Sequence, residues 1–313
     1  MRAEQLKLRR AENDMAWKQI LAEYLKDFIE FFWPEAHVDI DWDQPYTPLE
    51  QEFNKIASND QIGNKYVDKL FKVFLKNGQE QWCLLHLEIQ HSKDLNFAKR
   101  MLIYFSRIFN QYGQRVASFA LLADHDKSWR PEQFHDSIWG STITRAFKTV
   151  KIIDYQGQEP ELTKSNNPFA LVVMAQLAAL TTTPNQESRL ISKTELIKFL
   201  FKHGWSNSQI KSLYVFLDAV LVLNEKLEVE YLNIVKQLEE ANNMHITTTA
   251  ERHGFKAGKQ EGEAEFLAMQ IKAKFKEIPA EYQDQINKAD TTTLMQWGIN
   301  VLNANSIADV FKV

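Results

Sequence analysis

Cysteine and glycine are both scarce in this chain. Its 313 residues include a single cysteine, Cys83, and only ten glycines. One cysteine excludes an intrachain disulfide, and because Cys83 lies on the apolar side of a predicted strand we expect it to be buried and unreactive. The sequence also has no Gly-rich phosphate loop and no serine nucleophile elbow, so the motifs of P-loop proteins and of serine hydrolases are absent from it.

Long apolar runs and an excess of basic residues are missing as well. The longest apolar stretch, residues 169–180, is interrupted by Gln176 and is too short to cross a bilayer. The first residues lack the apolar segment of a signal peptide, so we expect a cytoplasmic protein with no membrane partner. The formal net charge of −4 at pH 7 argues against a globally basic nucleic-acid binder, but it is compatible with a local basic site.

The composition that remains is typical of a globular, soluble protein. Hydrophobic residues make up 44% of the chain and charged residues 25%, over a length that suffices for one sizeable core and further units. Apolar periodicity and turn residues predict an α/β order in the first half. The predicted helices cover residues 15–32, a segment beginning at residue 46, and residues 96–112; the predicted strands cover residues 66–76, 82–90, 116–123 and 149–155. Asn77 and Gly78 predict a tight hairpin between the first two strands.

Polar side chains occupy one face of the strand predicted at residues 82–90. Alternation places one set of residues on a single face of this strand: Trp82, Leu84, His86, Glu88 and Gln90. The opposite face is purely apolar. Because buried carboxylates are rare unless they are paired, hydrated or bound to a metal, Glu88 requires such a partner. His86 fits a supporting role beside Glu88 and fits a hydrogen-bonded core histidine equally well.

Together with Asp68 on the preceding strand, this face predicts a nuclease site of the PD-(D/E)XK type. Asp68 and Glu88 carry hard oxygen ligands suited to Mg²⁺, with Mn²⁺ as an alternative. Gln90 takes the position usually held by lysine, where an amide can orient a water molecule but supplies no charge. Either Arg100, on the helix that follows, supplies that charge by binding phosphate, or a second metal ion supplies it. Glu52, in the second predicted helix, is a candidate for an additional acid.

The helix predicted at residues 96–112 is amphipathic. A helical wheel gives an apolar face of Phe97, Met101, Phe105, Ile108, Phe109 and Tyr112, with Arg100, Tyr104, Arg107 and Gln111 in a row along its edge. The alternative for Arg100 is a surface residue with a packed stem. Further lysines surround the motif at positions 65, 69, 72, 93 and 99, so a local basic surface is expected despite the acidic net charge.

Residues 17–155 resemble the Rpn family of recombination-promoting nucleases, also known as YhgA-like transposases. The segments that carry the resemblance follow the family's order: Trp17-Lys18, Phe28–Pro34, Asp41-Trp42, Glu52, Val67–Leu70, His86–Gln90, Phe97–Met101 with Tyr104 and Arg107, and Trp129–Pro131. The resemblance implies an α/β, restriction-endonuclease-like core, a mixed sheet flanked by helices, that cleaves DNA with Mg²⁺ in recombination or in mobile elements. Glu-x-Gln in place of Glu-x-Lys is typical of this family, so Gln90 does not indicate loss of activity.

The second half of the chain has a different character. We expect a nuclease-like domain over residues 1–160, a helical region over 161–242, a Gly- and charge-rich linker over 243–265 and a small helical domain over 266–313. Three glycines spaced four apart, Gly254, Gly258 and Gly262, indicate either a flexible linker or a close helix contact, which could be the seam of a homodimer. Asp290 is predicted to cap the last long helix, residues 291–304.

Three functions from different classes remain open at this point. The first is a Mg²⁺-dependent DNA endonuclease. The second is a nucleic-acid- or protein-binding module on a nuclease scaffold that has lost catalysis, an alternative that Gln90 leaves open and the pair Asp68–Glu88 argues against. The third is a metal hydrolase that acts on another phosphoester.

Overall fold

The computed structural model describes residues 2–49, 67–76, 82–182, 185–244, 246, 264–304 and 306–311. These residues belong to two units, Met1–Met244 and His245–Val313, and each unit is described separately below. Among the described residues, no helix combines the length and the apolar character needed to cross a bilayer.

Three helices precede the sheet. They are α1 (Arg2–Glu23), α2 (Leu25–Phe32) and α3 (Pro34–Asp39). The sequence predicted one helix over residues 15–32, but the helix is interrupted at Tyr24, whose backbone angles of φ −124° and ψ 41° are not helical. Helix α2 buries Leu25, Phe28, Ile29 and Phe32, the spacing of a single apolar stripe. Pro34 then begins α3, where its missing N–H would have no intrahelical partner in any case.

A mixed five-stranded sheet forms the centre of the first unit. The strands within the described residues are β1 (Thr47–Pro48), β2 (Val67–Phe74), β3 (Trp82–Gln90), β4 (Val116–Leu122), β5 (Gln133–Ile138), β6 (Ser141–Ala146) and β7 (Lys148–Lys151). The sheet has the order β1-β2-β3-β4-β7, while β5 and β6 form a separate hairpin. The pairs β1–β2 and β2–β3 are antiparallel, and β3–β4 and β4–β7 are parallel. An α/β architecture with a mixed sheet flanked by helices is therefore confirmed.

Helix α4 (Phe97–Tyr112) makes the crossover that the parallel pair β3–β4 requires. It ends at Gly113, whose φ of 61° is the left-handed conformation that glycine adopts at low cost. Its buried residues are Phe97, Arg100, Met101, Tyr104 and Ile108. The wheel was therefore wrong about Phe109, which is 47% exposed, and it set Arg100 and Tyr104 at an edge that is in fact buried.

Two other predictions for the first half need correction. Residues 46–49 do not begin a helix, because Thr47 and Pro48 pair as a short edge strand with Lys72 and Phe71. The strand predicted at residues 149–155 ends at Lys151 and continues as a 3₁₀ helix, Ile152–Tyr155. The β5–β6 hairpin was not predicted at all.

The helical region completes the first unit. It contains α5 (Glu159–Leu162), α6 (Pro168–Thr181), α7 (Gln186–Lys202), α8 (Asn207–Val220) and α9 (Glu225–Asn242). Every residue of α6 from Pro168 to Leu177 is buried, as expected for a helix that is apolar on all sides and lies at the centre of a bundle. Aromatic contacts join this region to the N-terminal helices: Trp17 packs edge-on against Phe216, and Phe28 against Phe169, each with ring centroids 5.0 Å apart.

The second unit consists of a helical stretch over residues 264–275, here α10, followed by α11 (Ala280–Lys288), α12 (Thr291–Asn303) and α13 (Ile307–Val310). Its core comprises Leu267, Ile271, Ile286, Ala289, Leu294, Trp297, Val301, Ala304 and Val310. The predicted cap is confirmed, since Asp290 Oδ1 accepts a hydrogen bond from the Thr293 N–H at 2.7 Å. The glycine triplet and most of the predicted linker lie outside the described residues.

Candidate catalytic site

The register of β2 and β3 sets the two predicted metal-binding acids directly opposite each other. Asp68 pairs with Glu88 in the antiparallel ladder, and residues that are directly opposite share one face of the sheet. A slip of one residue would put the two acids on opposite faces, so their proximity depends on this register. Gln90 lies two positions beyond Glu88 on the same face. The side chain of Asp68 and the whole of Glu52 lie outside the described part of the chain.

Glu88 and Gln90 are buried where the parallel strands end. Their residues are 1% and 0% exposed, respectively. Ala120 and Leu122 of β4 lie beside them in the parallel register, and the Ala123 N–H donates to the Gln90 carbonyl at 2.8 Å. In α/β sheets the carboxyl ends of parallel strands are the usual place for a ligand. The two residues therefore lie at the edge of the sheet where chemistry is expected.

Arg100, in the first turns of α4, directs its guanidinium at these two side chains. Nη2 donates to Glu88 Oε1 at 2.8 Å and to Gln90 Oε1 at 2.7 Å, while Nη1 donates to the carboxylate of Asp94. Arg100 is 3% exposed, so the alternative of a surface residue with a packed stem is wrong. The buried charge of Glu88 has the partner that its burial requires.

Asp94 is the residue of this site that the sequence analysis missed. Besides binding Arg100, it accepts a hydrogen bond from the Asn96 N–H through Oδ1 at 2.8 Å, in the turn that leads into α4. An aspartate two residues before the N-cap of a predicted helix is a recognisable signal for such a turn. That signal predicts the local hydrogen bond, but the ion pair with Arg100 follows only from the packing of α4 on the sheet.

Hydrogen bonds fix the amide of Gln90 at both ends. Its Oε1 accepts from Arg100, and its Nε2 donates to the Ser92 carbonyl at 2.5 Å. The amide still has a second N–H and a second lone pair, because each of its atoms makes one of the two bonds that it can make. The orientation of the amide is therefore fixed, and a water molecule could be bound and oriented by the remaining N–H.

His86 lies next to Glu88 on the same face and is fully buried. Its Nε2 is 3.9 Å from Glu88 Oε2, and its ring packs edge-on against Tyr104 at a centroid distance of 5.6 Å. The distance of 3.9 Å is too long for a hydrogen bond. The structure therefore places His86 beside the carboxylate and packs it as a core residue, which keeps both sequence interpretations open.

His91 follows the strand and faces α1. Burial lowers the pKa of His91 to about 4, whereas the Asp14 carboxylate, 3.6 Å from Nε2, favours the protonated ring. The two influences oppose each other. Burial prevails over this attraction, because the side chain is only 24% exposed and 3.6 Å exceeds hydrogen-bonding distance.

Two of the lysines that the sequence grouped around the motif, Lys69 and Lys93, lie in other surroundings. Lys69 is buried in β2, one position out of phase with Asp68 and therefore on the other face of the sheet. Lys93 forms an ion pair with Asp126 at 2.9 Å. Lys65 lies outside the described residues. Of this group of residues, Arg100 is the one that the structure shows bound to Glu88.

A second buried ion pair lies at the same edge of the sheet. Lys151, the last residue of β7, donates to Asp124 Oδ2 at 2.6 Å and to the Trp129 carbonyl at 3.2 Å. A pocket of about 270 Å³ opens beside it, next to Arg130, whose guanidinium makes two hydrogen bonds to Asp154 at 2.5 and 2.7 Å. The residues that line this pocket do not include Glu88, Gln90 or Arg100.

The helical region contains a third buried charge, although the sequence gave no indication of polar chemistry there. Lys193 of α7 is fully buried. Its Nζ lies 3.0 Å from Asp218 Oδ1 on α8 and 3.4 Å from Glu228 Oε2 on α9, and 4.3 Å from the ring centroid of Tyr231. Burial raises the pKa of Tyr231 well above its ordinary value. This network joins three helices, and its lysine is neutralised by its own partners.

The donor set around Glu88 fits a hard divalent cation. Carboxylate oxygens are the ligands that Mg²⁺ prefers, and the register puts a second carboxylate residue, Asp68, opposite the first. Within the described residues no group of three His, Cys, Asp or Glu side chains is placed to hold a metal ion. That statement does not extend to Glu52 or to the side chain of Asp68, which are the other two predicted ligands.

Comparison of the chain with protein-family models, with curated proteins and with solved structures gives no match.

Proposed function

We propose that this chain is a Mg²⁺-dependent DNA endonuclease of the Rpn type, associated with recombination or mobile elements. The observation that carries the proposal is the β2–β3 register, which sets Asp68 opposite Glu88 with Gln90 at the carboxyl end of the same strand. An acid on each of two adjacent strands, followed two residues later by a polar group, is the arrangement that the sequence motif predicts.

In this proposal each side chain has a defined task. A bound Mg²⁺ would polarise the scissile phosphate and lower the pKa of a water molecule. Asp68 and Glu88 hold the cation, with Glu52 as a candidate third acid. Gln90 orients the attacking water through its remaining amide N–H, since its other N–H is bound to the Ser92 carbonyl. Before the cation binds, Arg100 fixes the positions of Glu88 and Gln90 through its two bonds to them.

A second candidate is a binding module on a nuclease scaffold that no longer catalyses the reaction. The observation that favours it is the ion pair itself: Glu88 is 1% exposed and its carboxylate accepts from Arg100 at 2.8 Å. A buried glutamate that is bonded to arginine is the arrangement expected where the acid of a former catalytic site has become a structural partner.

Plasmid nicking with Mg²⁺ and with a chelator separates the candidates. For the endonuclease we expect nicking that requires Mg²⁺ and that falls at least about 100-fold in Asp68→Asn and Glu88→Gln, since each removes a charged ligand at nearly constant shape. Gln90→Ala should reduce the rate less, because it removes an orienting hydrogen bond and no charge. The matched control is Asp136→Asn, the same change on an exposed acid of β5.

The other outcomes are also decisive. Retardation of DNA in a gel without nicking would favour the binding module. Metal-dependent hydrolysis of a simple phosphodiester such as bis(p-nitrophenyl) phosphate, without plasmid nicking, would favour the hydrolase of another phosphoester. Full nicking activity in Asp68→Asn or in Glu88→Gln would remove the site from the proposal.

A further inference from the structure

We infer that Arg100 is an exchangeable positioning residue, bound to Glu88 when no metal is present and held by Asp94 and Gln90 when a divalent cation takes the Glu88 carboxylate. The inference rests on the proposed metal-dependent function. It assigns to Asp94 a role in metal binding that the sequence motif does not include.

The first step of the argument is that arginine and cation use the same oxygen-bearing group. Arg100 Nη2 is 2.8 Å from Glu88 Oε1, and Mg²⁺ binds carboxylate oxygens at about 2.1 Å. Two positive charges on one buried carboxylate repel each other strongly, because the interior screens poorly. Glu88 is 1% exposed and Arg100 is 3% exposed, so little water is present to weaken that repulsion. Cation binding at Glu88 is therefore expected to weaken its bond to Arg100.

The second step is that Arg100 is held through two different nitrogens. Nη2 serves Glu88 and Gln90, whereas Nη1 serves Asp94. The guanidinium can therefore release Glu88 and keep its bond to Asp94. Asp94 is itself fixed, because its other oxygen accepts from the Asn96 N–H at 2.8 Å. The released charge is thus retained by an acid at the start of α4 and is not left buried without a partner.

The third step is the balance of formal charge. Among the described side chains of this cluster, Glu88 and Asp94 are acids and Arg100 is the cation bonded to both. The cluster therefore keeps a net negative charge that favours a divalent cation. Without the cation, the Arg100 guanidinium is the positive charge that permits Glu88 to be buried. With the cation bound to Glu88, the guanidinium remains paired with Asp94.

Mn²⁺ binding, measured by calorimetry on the full chain, tests the inference. Arg100→Gln removes the competitor and should tighten Mn²⁺ binding about tenfold, a typical size for coupling between two ligands. Asp94→Asn removes the group that holds the released guanidinium, while its amide oxygen can still accept from Asn96. It should strengthen the hold of Arg100 on Glu88 and weaken Mn²⁺ binding about tenfold.

The controls separate this exchange from the general effect of charge. Lys93, the residue before Asp94, forms a solvent-accessible ion pair with Asp126, so Lys93→Gln and Asp126→Asn make the same changes in charge without touching Glu88. Each should alter Mn²⁺ affinity less than twofold. Addition of diamagnetic Mg²⁺ to the wild type should also shift the ¹⁵N signals of the Arg100 guanidinium, whereas a purely structural arginine would keep them in place.

Failure of the inference differs from failure of the proposed function. If the wild type binds Mn²⁺ and Glu88→Gln does not, but Arg100→Gln binds it no more tightly than the wild type, the exchange is wrong and the metal site stands. If neither wild type nor Arg100→Gln binds Mn²⁺, both the exchange and the metal-dependent function are overturned. Should Arg100→Gln fail to fold, Asp94→Asn and the Mg²⁺ titration still decide the matter.

Discussion

Buried polar side chains define this molecule at the scale of single residues. Glu88, Gln90 and Arg100 are each at least 97% buried, and burial of such groups is unfavourable unless their hydrogen-bonding capacity is used. The two terminal nitrogens of the guanidinium bond three acceptors, on β3 and in the turn before α4, and these bonds favour one arrangement of α4 on the sheet. Removal of a single member would leave its partners buried with unmet bonds, which typically costs about 3–5 kcal/mol for a buried ion pair.

His91 gives a prediction for the dependence of stability on pH. Because its pKa is about 4 in the folded protein and about 6.5 in an unfolded chain, the unfolded state binds more protons between these values. Folding stability should therefore fall as the pH is lowered from about 6.5 to about 4, by up to about 3 kcal/mol from this residue. His91→Gln should flatten that part of the curve, as measured by urea unfolding at a series of pH values.

The control for this experiment is His125→Gln, the same change at an exposed histidine. It should leave the curve parallel to that of the wild type. If the wild-type curve were no steeper than that of His91→Gln, the attraction of Asp14 would outweigh burial and the predicted sign would be wrong.

The sequence predicts the positions of Glu88 and Gln90 but not the burial of Arg100. Alternation along β3 is local, so it correctly places Glu88 and Gln90 on one face. The helical wheel classes arginine as a polar residue and sets Arg100 at an edge. Its burial arises because Glu88, Gln90 and Asp94, which belong to other segments, provide acceptors. Contacts of that kind depend on the tertiary packing and are not encoded in the periodicity of a single helix.

At the scale of elements, two of the errors in the sheet region, the edge strand β1 and the β5–β6 hairpin, have different origins. Thr47-Pro48 was assigned to a helix because proline fits the first turn of a helix, yet proline fits an edge strand equally well, and pairing with Lys72 and Phe71 decides between them. The hairpin was missed because nearly all of its residues are exposed on both faces. Without a buried face there is no alternation of apolar and polar residues to detect.

The turn of this hairpin is poorly matched to its sequence, which gives a second prediction. Trp139 and Gly140 have φ values of 50° and 83°, the signature of a two-residue type I′ turn. Glycine tolerates this conformation, whereas tryptophan does so at a cost of roughly 1 kcal/mol. Trp139 is 98% exposed, so its replacement removes almost no packing. Trp139→Asn should stabilise the hairpin by about 0.5–1 kcal/mol.

Hydrogen exchange of the β5–β6 amides measures that change locally. Exchange should slow about two- to fivefold in Trp139→Asn. Trp139→Ala is the matched control, because it removes the same aromatic ring but keeps a residue that disfavours positive φ. Equal exchange rates in the two variants would show that the backbone conformation of residue 139 does not limit the hairpin.

At the scale of the whole molecule, the chain has two cores that share no segment. The first unit includes the sheet and the helical bundle, joined through aromatic residues such as Trp17 and Phe216. The second unit surrounds Trp297 and Ile271 with its own apolar residues. Periodic apolar residues predicted the helices of the bundle, whereas the small C-terminal domain was expected to be helical from its resemblance to a domain often attached to such nucleases. Apolar periodicity did not predict that α1 and α2 contact the bundle, because contacts between distant segments leave no mark in local periodicity.

The last prediction follows from the separate cores. A fragment that ends at Met244 retains every residue of the first unit, so its thermal unfolding midpoint should lie within about 2 °C of the first transition of the full chain, the lower end of the shift that 1 kcal/mol produces in a domain of this size. It should also retain nicking activity if Asp68, Glu88 and Gln90 are sufficient for catalysis.

Size-exclusion chromatography of the full chain and of the fragment tests whether the glycine triplet is a linker or a dimer contact. A linker leaves the oligomeric state unchanged, whereas a dimer contact makes the fragment monomeric. A fall in the midpoint of more than about 5 °C would show that the first unit depends on residues beyond Met244 for its stability.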